Sequence, residues 1–199
     1  MQAPDFFRTA PTIIMHDPLS GLLGAAQKGI IEYTYADVVK LAGHSCPTVA
    51  GAYLMTRAAL ARLYGDELPL RGGIRVDFQD EQTHGVTGVI ANVVSFITGA
   101  TTDNGFKGLA GNYDRRNLLH FGVAIPGAIR YTRLDTGAQT VTEFHSEQVP
   151  GAPELMSDLR KILANDATEE LKHSFAYNWQ DRVRRILENA DHPALVTCS

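Results

Sequence analysis

A histidine and a cysteine stand two positions apart in the stretch Gly43-His44-Ser45-Cys46-Pro47, here called the motif loop (residues 43–47). Imidazole nitrogen and thiolate sulfur are ligands that borderline-soft divalent ions such as zinc bind well. In a turn, both side chains can reach one ion. The same two residue types also form a nucleophile and its general base in thiol enzymes. The motif loop therefore predicts a metal site or, as an alternative, a metal-free catalytic pair made of Cys46 and His44.

Pro47 marks the expected start of a helix, because proline lacks the amide that stays unbonded at the first helical position. Cys46 then lies at or near the N-cap, where free amides and the helix dipole stabilise a thiolate. In the alternative interpretation Cys46 has no chemical role and is a small apolar residue that packs the start of the helix.

Two further histidines are candidates to complete a metal site, which needs four ligands when closed or three and a water when catalytic. His16 lies in a loop signal, before Asp17-Pro18, and His84 lies in the polar stretch 80–85. The candidate ligand set is therefore His44, Cys46, His84 and His16. Each of the two added histidines is equally well explained as an ordinary surface residue.

A haem-binding or haem-delivery protein is a second interpretation, because haem accepts an axial Cys or His between apolar walls. Candidate wall residues are Phe6, Phe7, Tyr53, Met55 and Phe106. Simple core packing explains the same residues. No Cys-x-x-Cys-His pattern is present, which excludes covalent haem attachment by that motif.

Residues 99–117 contain four glycines, and we call them the glycine-rich loop. Loops of this length in a compact domain are more often functional than neutral. Lys107 invites a phosphate-binding interpretation, but Gly108 follows it where the P-loop pattern requires Ser or Thr. Tyr113 lies in a polar stretch that either lines a pocket or forms a solvated turn. Tyr53, Phe106, Lys107 and Tyr113 are the candidate cofactor-binding residues.

Composition limits the class of protein. The 199 residues are 44% hydrophobic and 20% charged, an ordinary globular balance, and the net charge of −4 argues against a nucleic-acid or anionic-membrane partner. Two cysteines, Cys46 and Cys198, are too few for a disulfide framework. No apolar run approaches the roughly 18 residues of a spanning helix, and no signal-peptide pattern opens the chain. We expect a cytoplasmic protein that acts on a small-molecule ligand or substrate.

Hydrophobic periodicity predicts a mixture of strands and helices. Strands are expected at 30–35, 73–78, 121–129, 129–134 and 140–144, the last two as a hairpin. Helices are expected at 36–41, 47–63, 86–97, 153–163 and 168–187, whereas residues 1–29 are expected to be irregular. This order predicts one α+β domain over 1–199, with a mixed or antiparallel sheet and a C-terminal helical extension over 152–199. A stripe on the last helix is expected to pack on the core or on a second copy of the chain; its members are Leu171, Phe175, Trp179, Val183 and Ile186.

Residues 40–125 resemble the E-subunit family of formylmethanofuran dehydrogenase. The family pattern Gly-His-x-Cys-Pro-Gly stands here as 43–48, and its later segments correspond to Thr98-Gly99-Ala100-Thr101 and to 104–108. The resemblance implies a dimerising α+β core with a metal or active site around the His-x-Cys pattern. Positions where the family carries further cysteines hold Val89 and Ala100, and Cys198 alone cannot supply the family's C-terminal treble-clef zinc module.

Overall fold

Helices and strands are interleaved along the computed structural model, which describes residues 3–199. The helices are α1 (Phe6–Thr9), α2 (Pro18–Leu22), α3 (Tyr35–Ala42), α4 (Pro47–Tyr64), α5 (Thr87–Thr98), α6 (Leu155–Leu163) and α7 (Glu169–Glu188). The strands are β1 (Ile13–His16), β2 (Ile30–Tyr33), β3 (Ile74–Phe78), β4 (Leu119–His120), β5 (Ile129–Arg133), β6 (Gln139–Phe144) and β7 (Val196–Cys198). The α+β class predicted from the sequence is confirmed.

The main sheet has five strands in the order β4-β3-β5-β6-β7. β3 pairs with β4 in parallel, and the other neighbours are antiparallel, so the sheet is mixed, which is one of the two arrangements predicted. β1 and β2 form a separate antiparallel pair, with Ile13 opposite Tyr33. The predicted hairpin is β5–β6, and it turns at residues 134–138.

The central helix α4 packs against one face of the main sheet. Apolar side chains of β3, among them Ile74 and Val76, alternate toward that face because successive residues of a strand point to opposite sides. Gly51 lets α4 approach the sheet closely, since the Phe144 ring fills the space that a Cβ at this position would need. α4 also contacts α5, α7 and β7, so several elements hold it in place.

Local signals set the helix boundaries on either side of the motif loop. A capping box starts α3: the Asp37 amide donates to Thr34 Oγ1 at 3.3 Å, and the Thr34 amide donates to the Asp37 carboxylate at 3.1 Å. Gly43 ends α3 in the left-handed region, at φ 75°. α4 begins at Pro47 and ends before Gly65, as predicted.

Two segment predictions were wrong. Residues 1–29 were expected to be irregular, yet α1, β1 and α2 lie within them; these elements are four or five residues long, too short for a periodic pattern. Residues 121–128 were expected to be a strand, but Gly122 adopts φ 65°, and the amides of Gly122 and Val123 donate to carbonyls at and beyond the end of β3. The three-residue strand β7, which pairs with β6, was not predicted.

The last helix follows its predicted apolar stripe only in its C-terminal half. Val183 and Ile186 are completely buried, whereas Leu171 and Phe175 are only partly covered. Trp179 lies between these halves and is also partly buried. α7 packs on α4 and α6, which places Trp179 beside the motif loop.

Candidate functional site

Cys46 is the N-cap residue of α4, as the sequence predicts. Its backbone is extended, and its Sγ accepts the amide hydrogen of Val49 at 3.4 Å. The residue is 8% exposed and also contacts the apolar core. A sulfur in this place is an acceptor at the positive end of an 18-residue helix. The geometry suits a metal-binding thiolate, and it suits a packing residue as well.

His44 is exposed, and its ring is oriented by the chain just before it. Nδ1 lies 2.9 Å from the carbonyl oxygen of Ala42. A carbonyl only accepts, so Nδ1 carries the hydrogen of this bond, and in the neutral ring Nε2 is the nitrogen with the lone pair. Metal-binding histidines commonly donate one ring N–H to a carbonyl or carboxylate, which fixes the tautomer and the direction of the other nitrogen.

Ser45, between the two candidate ligands, is held by α3 and by α7. Its carbonyl accepts two hydrogen bonds, from Trp179 Nε1 at 3.0 Å and from Gln180 Nε2 at 3.1 Å. Its hydroxyl lies 3.0 Å from the hydroxyl of buried Tyr35, and burial raises the pKa of that phenol. The motif loop is therefore braced at both backbone and side chain. Sequence reasoning treated Trp179 only as a packing residue and gave no role to Gln180.

His16 and His84 lie on other elements. His16 ends β1, where its amide donates to Pro69 and its carbonyl accepts from Arg71. His84 is exposed in the loop before α5, and its Nδ1 lies 3.3 Å from a carboxylate oxygen of Asp80. Within residues 3–199, three or more His, Cys, Asp or Glu side chains are nowhere grouped so that they could hold a metal ion.

An apolar cleft of about 260 Å³, here called the motif cleft, opens beside the first turn of α4. Residues at the starts of α4 and α5 line it together with β6; they are Pro47, Thr48, Val86, Ile90 and Phe144. Met55, named above as a candidate wall residue, also lines it. Thr48 lies only two residues after Cys46, so a small molecule in this cleft would lie close to the motif loop.

The four candidate cofactor-binding residues do not line the motif cleft. Tyr53 is completely buried, and its hydroxyl donates to the carbonyls of Pro11 and Tyr33. Phe106, Lys107 and Tyr113 all lie in the glycine-rich loop, where Phe106 is exposed. The structure thus brings the last three onto one loop and leaves Tyr53 inside the core.

A buried ion cluster that sequence reasoning missed anchors the glycine-rich loop. It consists of Asp17, Arg71 and Arg115, and we call it the Asp17–arginine cluster. The Asp17 carboxylate accepts from Arg71 Nη1 at 3.0 Å and from Arg115 Nη2 at 2.8 Å. Asp17 and Arg115 are both buried. The one available sequence signal was Asp17 before Pro18, a helix-start pattern, and the carboxylate does cap α2 through the amides of residues 19 and 20.

Comparison of the chain with protein-family models, with curated proteins and with solved structures found no match. In the described part of the chain, every helix is too short or too polar to cross a membrane.

Proposed function

We propose that the chain is a metal-binding protein whose site is the motif loop, with His44 Nε2 and Cys46 Sγ as its ligands. The observation that carries this proposal is the hydrogen bond between His44 Nδ1 and the Ala42 carbonyl, which leaves Nε2 as the ligand nitrogen two positions from the Cys46 sulfur. Both nitrogen and sulfur donors suit zinc and similar divalent ions.

The hydrogen bonds around Ser45 support the proposal, because metal ligands need to be held in place before the ion arrives. Trp179 and Gln180 both fix the carbonyl that lies between the two ligands. A loop held this way loses little conformational freedom on binding an ion. The same bracing also serves the alternative in which Cys46 is a metal-free nucleophile and His44 its base.

Two protein ligands leave coordination positions for water, a substrate or a second copy of the chain. An ion with an open position would act as a Lewis acid or activate a bound water. The motif cleft would receive the substrate, and its volume of about 260 Å³ favours a small apolar group. Pockets for drug-sized ligands usually measure roughly 300–1,000 Å³, so this cleft favours a small substrate over haem.

A homodimer and a cytoplasmic location belong to the same proposal. Two motif loops that meet across a two-fold axis would supply two histidines and two cysteines, which is a complete tetrahedral set. A reducing compartment would keep Cys46 available as a thiol.

Metal content of the purified 199-residue chain tests the proposal. We expect wild type to bind zinc and Cys46→Ser to lose at least tenfold in affinity, since serine keeps the N-cap but replaces the soft sulfur. His44→Gln should lose affinity as well. Cys198→Ser and His173→Gln are the matched controls and should bind as wild type does. The single tryptophan, Trp179, hydrogen-bonds to the motif loop, so its fluorescence should change as metal is added.

The metal-to-chain ratio and the visible spectrum separate the alternatives. One ion per chain indicates an open site, and one ion per two chains indicates a site shared in a dimer. A strong visible absorption band that is present in wild type and lost in Cys46→Ser would indicate that the bound group is haem rather than zinc. Equal, negligible metal and haem content in wild type and both motif-loop variants would refute the proposal, and rapid alkylation of Cys46 would then favour the thiol enzyme.

A further inference from the structure

A second cleft lies on the C-terminal half of α4, away from the motif loop. It has a volume of about 330 Å³ and runs between α4 and the segment 190–198, and we call it the arginine cleft. Arg62 follows Thr48 by fourteen positions of helix, which corresponds to about 21 Å along the helix axis. The two clefts share no lining residue, so a ligand bound in one cleft would not contact the residues of the other cleft.

Small side chains give the arginine cleft its volume and an apolar floor. Ala58 and Ala61 present only methyl groups from α4, and Pro193 and Val196 face them from the other side. Longer side chains at the two alanines would fill the space. The floor therefore suits a compact hydrocarbon or aromatic body.

The rim of the arginine cleft carries a surplus of hydrogen-bond donors. Arg57 pairs with Asp191 at 2.7 Å, and this ion pair ties α4 to the segment after α7. Arg62 has no carboxylate within salt-bridge distance in residues 3–199, so its charge is available to a ligand. His192 Nδ1 accepts the amide hydrogen of Ala194, which leaves the hydrogen on Nε2 as a free donor. The rim thus offers one unpaired positive charge and one neutral donor.

We infer that the arginine cleft binds an organic anion, with its negative group at Arg62 and His192 and its apolar body on the alanine floor. A guanidinium is the preferred partner of carboxylate, sulfonate and phosphate oxygens, because its fork of N–H groups matches their geometry. The inference does not depend on metal binding at the motif loop.

Cys198 provides a reporter, because this residue lines the arginine cleft and its thiol lies near the charge of Arg62. Burial raises the pKa of this thiol, and the nearby charge of Arg62 opposes that effect. The experiment uses the full chain with Cys46→Ser, so that Cys198 is the one remaining thiol. Its reaction with dithiobis(nitrobenzoate), a dianionic aromatic disulfide, is followed at mildly alkaline pH and constant ionic strength. The Cys198 thiolate attacks one sulfur, the S–S bond breaks, and a nitrobenzoate thiolate leaves with the electron pair.

We expect Arg62→Gln to lower the ratio of this rate to the rate with neutral dithiodipyridine about fivefold, from the loss of one favourable charge toward the anionic probe. The ratio is the quantity compared, because loss of Arg62 also raises the pKa of the Cys198 thiol and slows both probes alike. Arg8→Gln, an exposed arginine on α1, is the matched control and should change neither rate.

Protection by benzoate gives the second measurement. In the Cys46→Ser chain, benzoate should slow labelling of Cys198 by either disulfide and should do so to saturation. In the chain that also carries Arg62→Gln, protection should need at least fivefold more benzoate. Equal sensitivity of both probes to Arg62→Gln, or labelling that benzoate leaves unchanged, would overturn the inference.

Discussion

The motif loop and the glycine-rich loop are fixed by different kinds of interaction. Neutral hydrogen bonds from Trp179 and Gln180 hold the motif loop at one carbonyl. A buried ion pair between Arg115 and Asp17 holds the glycine-rich loop. A neutral hydrogen bond contributes on the order of 1 kcal/mol, whereas removing one partner of a buried ion pair costs several. The comparison shows that a buried charge pair anchors the glycine-rich loop and that neutral hydrogen bonds brace the motif loop, so losing a single contact should cost less stability at the motif loop.

The charge balance of the Asp17–arginine cluster makes its carboxylate indispensable. Two guanidinium groups share one carboxylate, and Arg115 lies almost entirely inside the protein. Three of their nitrogens are buried without a partner among the described residues: Arg71 Nε, Arg115 Nε and Arg115 Nη1. Unbonded buried donors already cost free energy, so the remaining bonds to Asp17 matter more than they would in a fully satisfied network.

The largest expected effect comes from removing the Asp17 charge. Asp17→Asn keeps an oxygen that can cap α2 but leaves two guanidinium groups without a counter-charge, and we expect a loss of about 3 kcal/mol in the free energy of unfolding. Urea unfolding measures this loss. Asp114→Asn removes an exposed partner of Arg116 and is the control, with an unfolding midpoint close to that of wild type. Equal effects of the two variants would mean that the buried pair contributes no more than a surface pair.

Acid titration sharpens the same prediction. Burial alone would raise the pKa of Asp17, but the hydrogen bond from Arg71 and the charges of both arginines outweigh it, so the pKa lies below its ordinary value of 3.8. A pKa depressed by folding stabilises the protein above the unfolded-state pKa, and this stabilisation is lost as pH falls through the folded value. The stability difference between wild type and Asp17→Asn should therefore shrink below about pH 4. A difference that grows on acidification would contradict it.

Two glycines with the same backbone conformation allow the cost of backbone strain to be measured separately from the cost of crowding. Gly43 ends α3 and Gly99 ends α5, both at φ 75°. A Cβ at Gly43 would meet nothing within 4 Å, but at Gly99 it would lie 3.0 Å from Arg115 Nη1 and 3.1 Å from Arg71 Cγ. We expect Gly43→Ala to cost about 1 kcal/mol from left-handed strain, and Gly99→Ala about 1–2 kcal/mol more from crowding the ion cluster. Thermal or urea unfolding of both variants measures the difference, and equal losses would show that the arginines adjust freely.

The smallest effect on stability is expected at the brace of the motif loop. Trp179→Phe removes the indole N–H that donates to Ser45, and Gln180 keeps its own bond to the same carbonyl. We expect a loss of about 1 kcal/mol in unfolding free energy and, if the proposed metal site is correct, about tenfold weaker zinc binding. Tyr177→Phe, on the same helix and 73% exposed, should change neither quantity. Weaker zinc binding in both variants would assign the effect to α7 as a whole.

Local sequence signals determined how the motif loop is built. Gly43, Cys46 and Pro47 each act through the backbone within a turn or two of themselves, as helix C-terminus, N-cap and first helical residue. Such effects need no distant partner, and for that reason the α3-loop-α4 unit and the place of Cys46 were predicted correctly. The longer helices and the β5–β6 hairpin were predicted for the same reason, because each carries its own periodicity or turn.

Tertiary structure alone decided what surrounds those elements. Trp179 reaches Ser45 across 134 positions of sequence, and Arg115 reaches Asp17 across 98. No local sequence pattern predicts such a contact, since the contact depends on how whole helices and loops pack. Both clefts have the same origin, because each lies between segments that are distant in the chain. The sequence thus determined the candidate ligands and their local backbone, and packing decided what braces them and where the two clefts lie.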